Sequence, residues 1–79
     1  GNTMGRACED ARLIRQRVRE MLLHTGMPTA KLAEMLDTTP YTVYRWMGLQ
    51  ATPCAETLAQ LCRITGESPA WVLDLTDQR

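Results

Sequence analysis

The sequence predicts an all-helical domain of five short helices, and three observations support this class. Apolar residues recur at spacings of three and four, phenylalanine is absent, and no run of β-branched residues occurs. The 79 residues, 44% hydrophobic and 23% charged, suffice for one small globular domain. We place this domain at residues 8–75, with flexible ends at 1–7 and 76–79. So small a domain buries only about 60% of the surface that its unfolded chain exposes, and we therefore expect it to dimerise.

The first helix is predicted at about residues 8–24. Its apolar face carries Ala11, Ile14, Val18, Met21 and Leu22, and its other face carries Arg12, Arg15, Gln16, Arg19 and Glu20. Glu9 and Asp10 suit the positive end of a helix dipole and mark the predicted start. Gly26 suits the left-handed residue that commonly follows a helix.

Three pairs of a hydroxyl residue and a proline predict later helix starts, because each offers an N-cap followed by proline at the first helical position. The pairs are Thr39-Pro40, Thr52-Pro53 and Ser68-Pro69. With a further start near Pro28 and Thr29, the later helices fall at about 28–36, 40–47, 54–65 and 69–75. Gly48 and Gly66 are expected to end the helices at 40–47 and 54–65.

Residues 29–47 predict two short helices joined by a tight turn. Helices this short are unstable alone, so they must pack closely, and Ala33 is small enough to permit that. Asp37 occupies the turn position that requires a left-handed backbone. Val43, Trp46 and Met47 are predicted to face inward.

The opposite face of the second short helix then displays Tyr41, Thr42, Tyr44 and Arg45. An α-helix fits the major groove of DNA and reads base edges with residues near its N-terminus. Arg45 suits a guanine, and Tyr41 and Thr42 suit a thymine methyl group or a phosphate.

The segments MPTAKLAEMLDTTPYTVYRWMGL (27–49) and TPCAETLAQLCRITGESPAWVLDL (52–75) resemble the Cro and lambda-repressor-like helix-turn-helix proteins, the XRE family. The resemblance covers about residues 14–75. It implies a lambda-repressor-like fold and a transcriptional regulator, most often a repressor, that binds double-stranded DNA sequence-specifically. Such a protein acts as a homodimer on a palindromic operator and inserts the helix at 40–47 into the major groove.

The resemblance also assigns DNA-binding roles to individual residues. Thr29 matches a phosphate-contacting position at the start of the second helix. Base-reading positions fall on Pro40, Tyr41 and Arg45, and positions near the DNA backbone fall on Thr39, Thr42 and Tyr44. Trp71 matches the core aromatic residue of the fifth helix.

The sequence departs from the family pattern at three places. Asp37 replaces the usual turn glycine. Leu22 and Met47 stand where many members bury an Arg–Glu pair, and an apolar pair of similar volume can replace such a salt bridge without loss. The loop from Gly48 to Thr52 contains no Lys or Arg, which weakens the expectation of phosphate anchoring there.

The charge balance keeps a second function open. The formal net charge is zero, and five of the nine basic residues lie within residues 1–24. Because neutralising phosphates supplies much of a DNA-binding protein's affinity, this balance also fits a protein-interaction module on the same fold without DNA affinity. For either function we expect dimerisation through the C-terminal third, with Leu73 as the exposed residue among Trp71, Val72, Leu73 and Leu75.

Other classes of protein are disfavoured. Cys8, His24, Cys54 and Cys62 lack the short spacing of structural zinc sites, and no catalytic constellation occurs, so we expect no metal, no cofactor and no enzyme. The three cysteines are interpreted as reduced packing residues. No apolar run is long enough for a membrane span, and a cytoplasmic location is expected.

Overall fold

A computed structural model describes residues 4–75, with side chains described from residue 11 onward, and this range contains five α-helices and no strand. The helices are α1 (Met4–His24), α2 (Thr29–Met35), α3 (Pro40–Met47), α4 (Ala55–Thr65) and α5 (Pro69–Val72). The predicted all-α class with five helices is confirmed. Residues 1–3 and 76–79, parts of the two ends expected to be flexible, lie outside the described residues. None of the five helices combines the length and apolar character that spanning a bilayer requires.

The central helix is α1, which packs against α3, α4 and α5, while α2 packs against α3. Its contribution to the core is the predicted apolar face, where Val18, Met21 and Leu22 are almost fully buried. The other helices and the turn after α2 surround this face with Leu32, Ala33, Leu36, Val43, Trp46, Leu58, Leu61, Cys62, Trp71 and Val72. One shared core therefore fixes how the short helices sit relative to α1.

The start of α1 differs from the prediction. The helix begins at Met4, so Glu9 and Asp10 lie inside it and do not mark its first turn. Met4, Arg6 and Ala7 are good helix formers and no proline interrupts residues 4–8, so the helix continues toward the N-terminus despite Gly5. Its end agrees with the prediction, since α1 stops at His24 and Gly26 has a positive φ of 69°.

Two of the three predicted hydroxyl caps are present. The hydroxyl of Thr39 accepts a hydrogen bond from the Thr42 N–H at 3.2 Å, and that of Ser68 accepts from the N–H groups of Ala70 and Trp71. The prediction for Thr52-Pro53 is wrong, because α4 is capped by Cys54 and begins at Ala55.

Cys54 takes the cap position for a structural reason. Pro53 is buried just before the helix, and Cys54 is extended with its carbonyl accepting the first helical bond, from the Leu58 N–H at 2.9 Å. The Cys54 thiol lies 3.4 Å from the hydroxyl of Thr57.

Cys54 is exposed, so its interpretation as a packing residue is wrong, whereas Cys62 is buried as expected. The side chain of Cys8 lies outside the described part.

Three helices, α2, α3 and α5, end on left-handed residues that are not glycine. After α2, Asp37 has φ 55°, as predicted, and the Thr38 N–H donates to the Ala33 carbonyl at 2.9 Å. After α3, the left-handed residue is Leu49 (φ 63°), not Gly48, whose φ is −86°. The Gln50 N–H donates to the Arg45 carbonyl, so both turns close with the same six-residue hydrogen bond.

The last helix is shorter than predicted. It ends at Val72 because Asp74 adopts φ 62° and the Leu75 N–H turns back to the Ala70 carbonyl at 2.7 Å. Trp71 is buried, as expected of a core aromatic residue. Leu73 is exposed as expected, at 40%, and Leu75, which was not expected to be, is 75% exposed.

Candidate nucleic-acid interface

The α2–α3 pair forms a closely packed two-helix unit on the core. Ala33 is 2% exposed, which is the close approach that its small side chain permits. Val43 and Trp46 are buried as predicted, and Met47 is half-buried against the core together with the buried Leu22. The positions that carry a salt bridge in many similar domains are therefore part of the apolar core here.

The outward face of α3 brings together Pro40, Tyr41, Tyr44 and Arg45, all of which are exposed. Tyr41 is 72% exposed and Tyr44 is 63% exposed, so neither ring is part of the core. Tyr41, Tyr44 and Arg45 follow the spacing of three and four that aligns side chains along one helix face. This face offers flat rings, hydroxyl groups and one cation to a partner.

Thr39 and Thr42 stand at the N-terminal end of the same helix, but their hydroxyl groups have an internal role. The Thr39 hydroxyl caps α3 and lies 3.1 Å from the Thr42 hydroxyl. Thr39 is exposed and Thr42 is half-buried. The pair fixes the first turn of α3, and it still leaves Thr39 accessible beside Tyr41.

Thr29 is placed on a different helix from the other predicted residues. It is the first residue of α2, half-buried, and follows Pro28, which makes no side-chain cap bond. The turn at Asp37 joins the opposite end of α2 to α3. The structure thus groups six of the seven predicted residues at or on α3 and sets Thr29 apart.

A further set of polar residues borders the C-terminal end of α3. Gln16, Arg19, Glu20 and Leu23 of α1 line one shallow depression together with Leu49. Arg19 is exposed, whereas Arg15 is half-buried with its Nε enclosed and without a hydrogen-bond partner.

The placement of Arg19 adds a cation, next to the carboxylate of Glu20, beside a loop that has none, since residues 48–52 contain no Lys or Arg. The sequence predicts the polar face of α1 but gives no signal for what that face adjoins, because Arg19 and Leu49 are far apart along the chain.

Acidic and metal-binding groups do not define a site on this surface. Among the described residues, no three His, Cys, Asp or Glu side chains converge in a way that could hold a metal ion. Lys31 and Glu34 of α2 form an exposed ion pair at 3.5 Å, which contributes little to stability.

Comparison with protein families gives a match to the Cro/C1-type helix-turn-helix (HTH) DNA-binding domain over residues 17–78. This range includes most of the core-facing part of α1 and all of α2 to α5. Comparisons with curated proteins and with solved structures gave no match.

Proposed function

Because the chain belongs to the Cro/C1-type HTH DNA-binding domain family and is a DNA-binding regulator of that kind, we propose that it is a sequence-specific repressor that inserts α3 into the major groove. The observation that carries this proposal is the two-sided character of α3. Val43 and Trp46 hold one side in the core, and the exposed Tyr41, Tyr44 and Arg45 form the other. A helix held in this way presents its N-terminal residues to base edges.

The residues of this face take different roles. Arg45 donates to a guanine edge, the commonest base-specific contact, and Pro40 and Tyr41 make apolar contacts with thymine methyl groups. Thr39, Thr42 and Tyr44 lie along the groove wall and contact the DNA backbone. Such backbone contacts fix register and orientation but carry no sequence information.

Phosphate contacts flank α3 on both sides in this proposal. On one side the Thr29 hydroxyl contacts a phosphate from the start of α2. On the other side Arg19 replaces the basic loop residues that this chain lacks, since it borders Leu49 at the end of α3. A few such contacts give modest affinity, which a dimer with two half-sites increases.

The second copy is recruited through the C-terminal turn. Leu73 and Leu75 are exposed on both sides of Asp74, an apolar surface that the core does not use. A two-fold contact there gives a homodimer and hence a palindromic operator, with half-sites about one helical turn apart.

One observation favours a second function, a protein-interaction module without DNA affinity. The chain has no net charge, and the loop at 48–52 has no basic residue. In that case Tyr41 and Tyr44 contact a protein, because exposed aromatic residues are frequent at protein interfaces.

Selection of bound duplexes from a random pool distinguishes the two functions. The DNA-binding function predicts enrichment of a sequence with two-fold symmetry, and repeating the selection with Tyr41→Ala should alter the enriched bases. A matched control is Gln60→Ala, an exposed residue on α4, which should leave them unchanged. The absence of any enriched sequence even at low salt would favour the interaction module.

A further inference from the structure

Arg17 of α1 makes a group of contacts with the end of the described chain. Its guanidinium donates from Nη1 to the carbonyl oxygen of Trp71 and lies 3.5 Å from the Asp74 carboxylate. The guanidinium carbon also sits 4.8 Å from the centre of the Trp71 ring. One side chain therefore holds the backbone, the ring and the carboxylate of a single turn.

These contacts are shielded from water. The side chains of Arg17 and Asp74 are 14% and 17% exposed, whereas Lys31 and Glu34 in the other ion pair are 55% and 74% exposed. Solvent and salt screen a partly buried pair much less than an exposed one. A hydrogen bond from a charged donor to a carbonyl is also stronger than a neutral one.

The segment that Arg17 holds has little stability of its own. Helix α5 has four residues, and the turn after it depends on Asp74 in a left-handed conformation. A helix of one turn does not persist without tertiary contacts. Trp71 and Val72 anchor α5 in the core, but Leu73 and Leu75 are exposed beyond it.

We propose that Arg17 is a positioning residue for the dimer: it fixes the turn of Leu73, Asp74 and Leu75 against α1 and thereby sets the half-site spacing that the dimer prefers. The inference rests on the proposed function, because that turn is the proposed contact between copies. Since α1 packs against both α3 and α5, a turn fixed to α1 is also fixed relative to α3. In a two-fold dimer, movement of the turn occurs in both copies and makes the distance between the two α3 helices less well defined.

The test compares Arg17→Met with Arg12→Met on three operators whose half-sites are separated by the selected spacer, by one base pair fewer and by one more. Methionine keeps an apolar chain over Trp71 but removes the charge and the donors. Arg12 is an exposed arginine of the same helix, so its variant controls for the loss of one positive charge. The proposal predicts that Arg17→Met reduces the preference for the selected spacer by about tenfold, the effect of losing one charge-assisted hydrogen bond. Arg12→Met should keep that preference.

A second measurement needs no DNA and is made at a protein concentration low enough to keep the chain monomeric. Hydrogen exchange of the Leu75 amide, which is bonded to the Ala70 carbonyl, should become about tenfold faster in Arg17→Met, since the turn opens more often. Arg17→Lys keeps the cation but not the planar fork, so it should give an intermediate rate and an intermediate spacer preference. It also serves if Arg17→Met does not fold.

Three results would overturn the proposal. The first is an unchanged Leu75 exchange rate in both Arg17 variants. The second is a uniform loss of affinity on all three operators, which would make Arg17 a residue for stability alone. The third is a wild-type protein with no spacer preference, which would also contradict the proposed dimer. If the wild type prefers one spacer clearly but the Arg17 variants exchange the Leu75 amide at the wild-type rate, only the role of Arg17 is refuted.

Discussion

Arg45 is the single basic residue of α3, and it lies on the face that also exposes Tyr41 and Tyr44. A bidentate contact with guanine favours the correct base by about 1–3 kcal/mol. Arg45→Ala should therefore weaken binding to the selected duplex by that amount and weaken binding to random duplexes much less. Fluorescence anisotropy titrations with labelled duplexes measure both losses.

Two variants show whether the loss is specific to Arg45. Thr29→Ala should weaken binding to the selected and the random duplex alike, because a phosphate contact does not distinguish sequences. Arg63→Ala removes an exposed arginine of α4 that is bonded to Gln60, and it should change neither affinity substantially. If Arg45→Ala reduced both affinities equally, Arg45 would be a phosphate contact.

Cys54 and Cys62 should differ strongly in reactivity toward iodoacetamide. The hydrogen bond from the Thr57 side chain lowers the pKa of the exposed Cys54 thiol, and hydrogen bonds from the backbone at the start of α4 lower it further. Burial raises the pKa of the Cys62 thiol. Because the thiolate is the reactive form, Cys54 should react fast at neutral pH, with its rate falling only at a lower pH than for an ordinary thiol. Peptide mass spectrometry resolves each cysteine.

Thr57 provides the control for this difference. Thr57→Val removes the hydroxyl and should move the pH midpoint of the Cys54 reaction upward, while Thr57→Ser should leave it close to wild type. The same midpoint in Thr57→Val and wild type would show that the hydroxyl does not stabilise the thiolate.

At the scale of the elements, the turn between α2 and α3 depends on Asp37 at φ 55°. A left-handed backbone is costly for most residues, is tolerated by Asp and is free of steric cost for Gly. Asp37→Gly removes a left-handed strain of about 1–2 kcal/mol and gives back about 0.4–1 kcal/mol through the greater freedom of the unfolded chain. It should therefore raise the free energy of unfolding by about 0.5–1 kcal/mol, measured from urea unfolding curves. Asp37→Ala should lower it, because alanine has a β-carbon but no polar group to bond locally. A loss of stability in Asp37→Gly would mean that the carboxylate stabilises the turn more than the backbone strain costs.

The same elements show which features of the fold were predictable. The caps Thr39 and Ser68 can be predicted from the sequence because capping is local and joins residues two or three positions apart. Thr52-Pro53 has the same pattern, but Pro53 is buried ahead of the helix and the cap position falls on Cys54. Leu49 in a left-handed conformation has no sequence signal at all, since Gly48 beside it is the more favourable residue for that role.

At the scale of the whole molecule, the outward face of α3 was predictable and its surroundings were not. The periodicity of Val43 and Trp46 is enough to place Tyr41 and Arg45 outside. The placement of Arg19 beside Leu49 and of Arg17 over Trp71 depends on how distant segments pack. The sequence gives one indication of the position of Arg17, because its spacing from Ile14 and Met21 puts this charged residue at the edge of the apolar face.

Association of two copies is the property that belongs to the whole molecule. Leu75 is 75% exposed and Leu73 is 40% exposed, so Leu75→Glu is the sharper test of the C-terminal contact. A buried leucine contributes about 1.5–3 kcal/mol, and a two-fold contact contains it twice, so the variant should weaken the dimer by at least about 3 kcal/mol. Sedimentation equilibrium measures this shift, and operator affinity should fall with it while half-site affinity remains. Leu23→Glu, at a leucine that is 55% exposed on α1, should leave the dimer intact. A Leu75→Glu protein that stays dimeric would place the contact between copies on another surface.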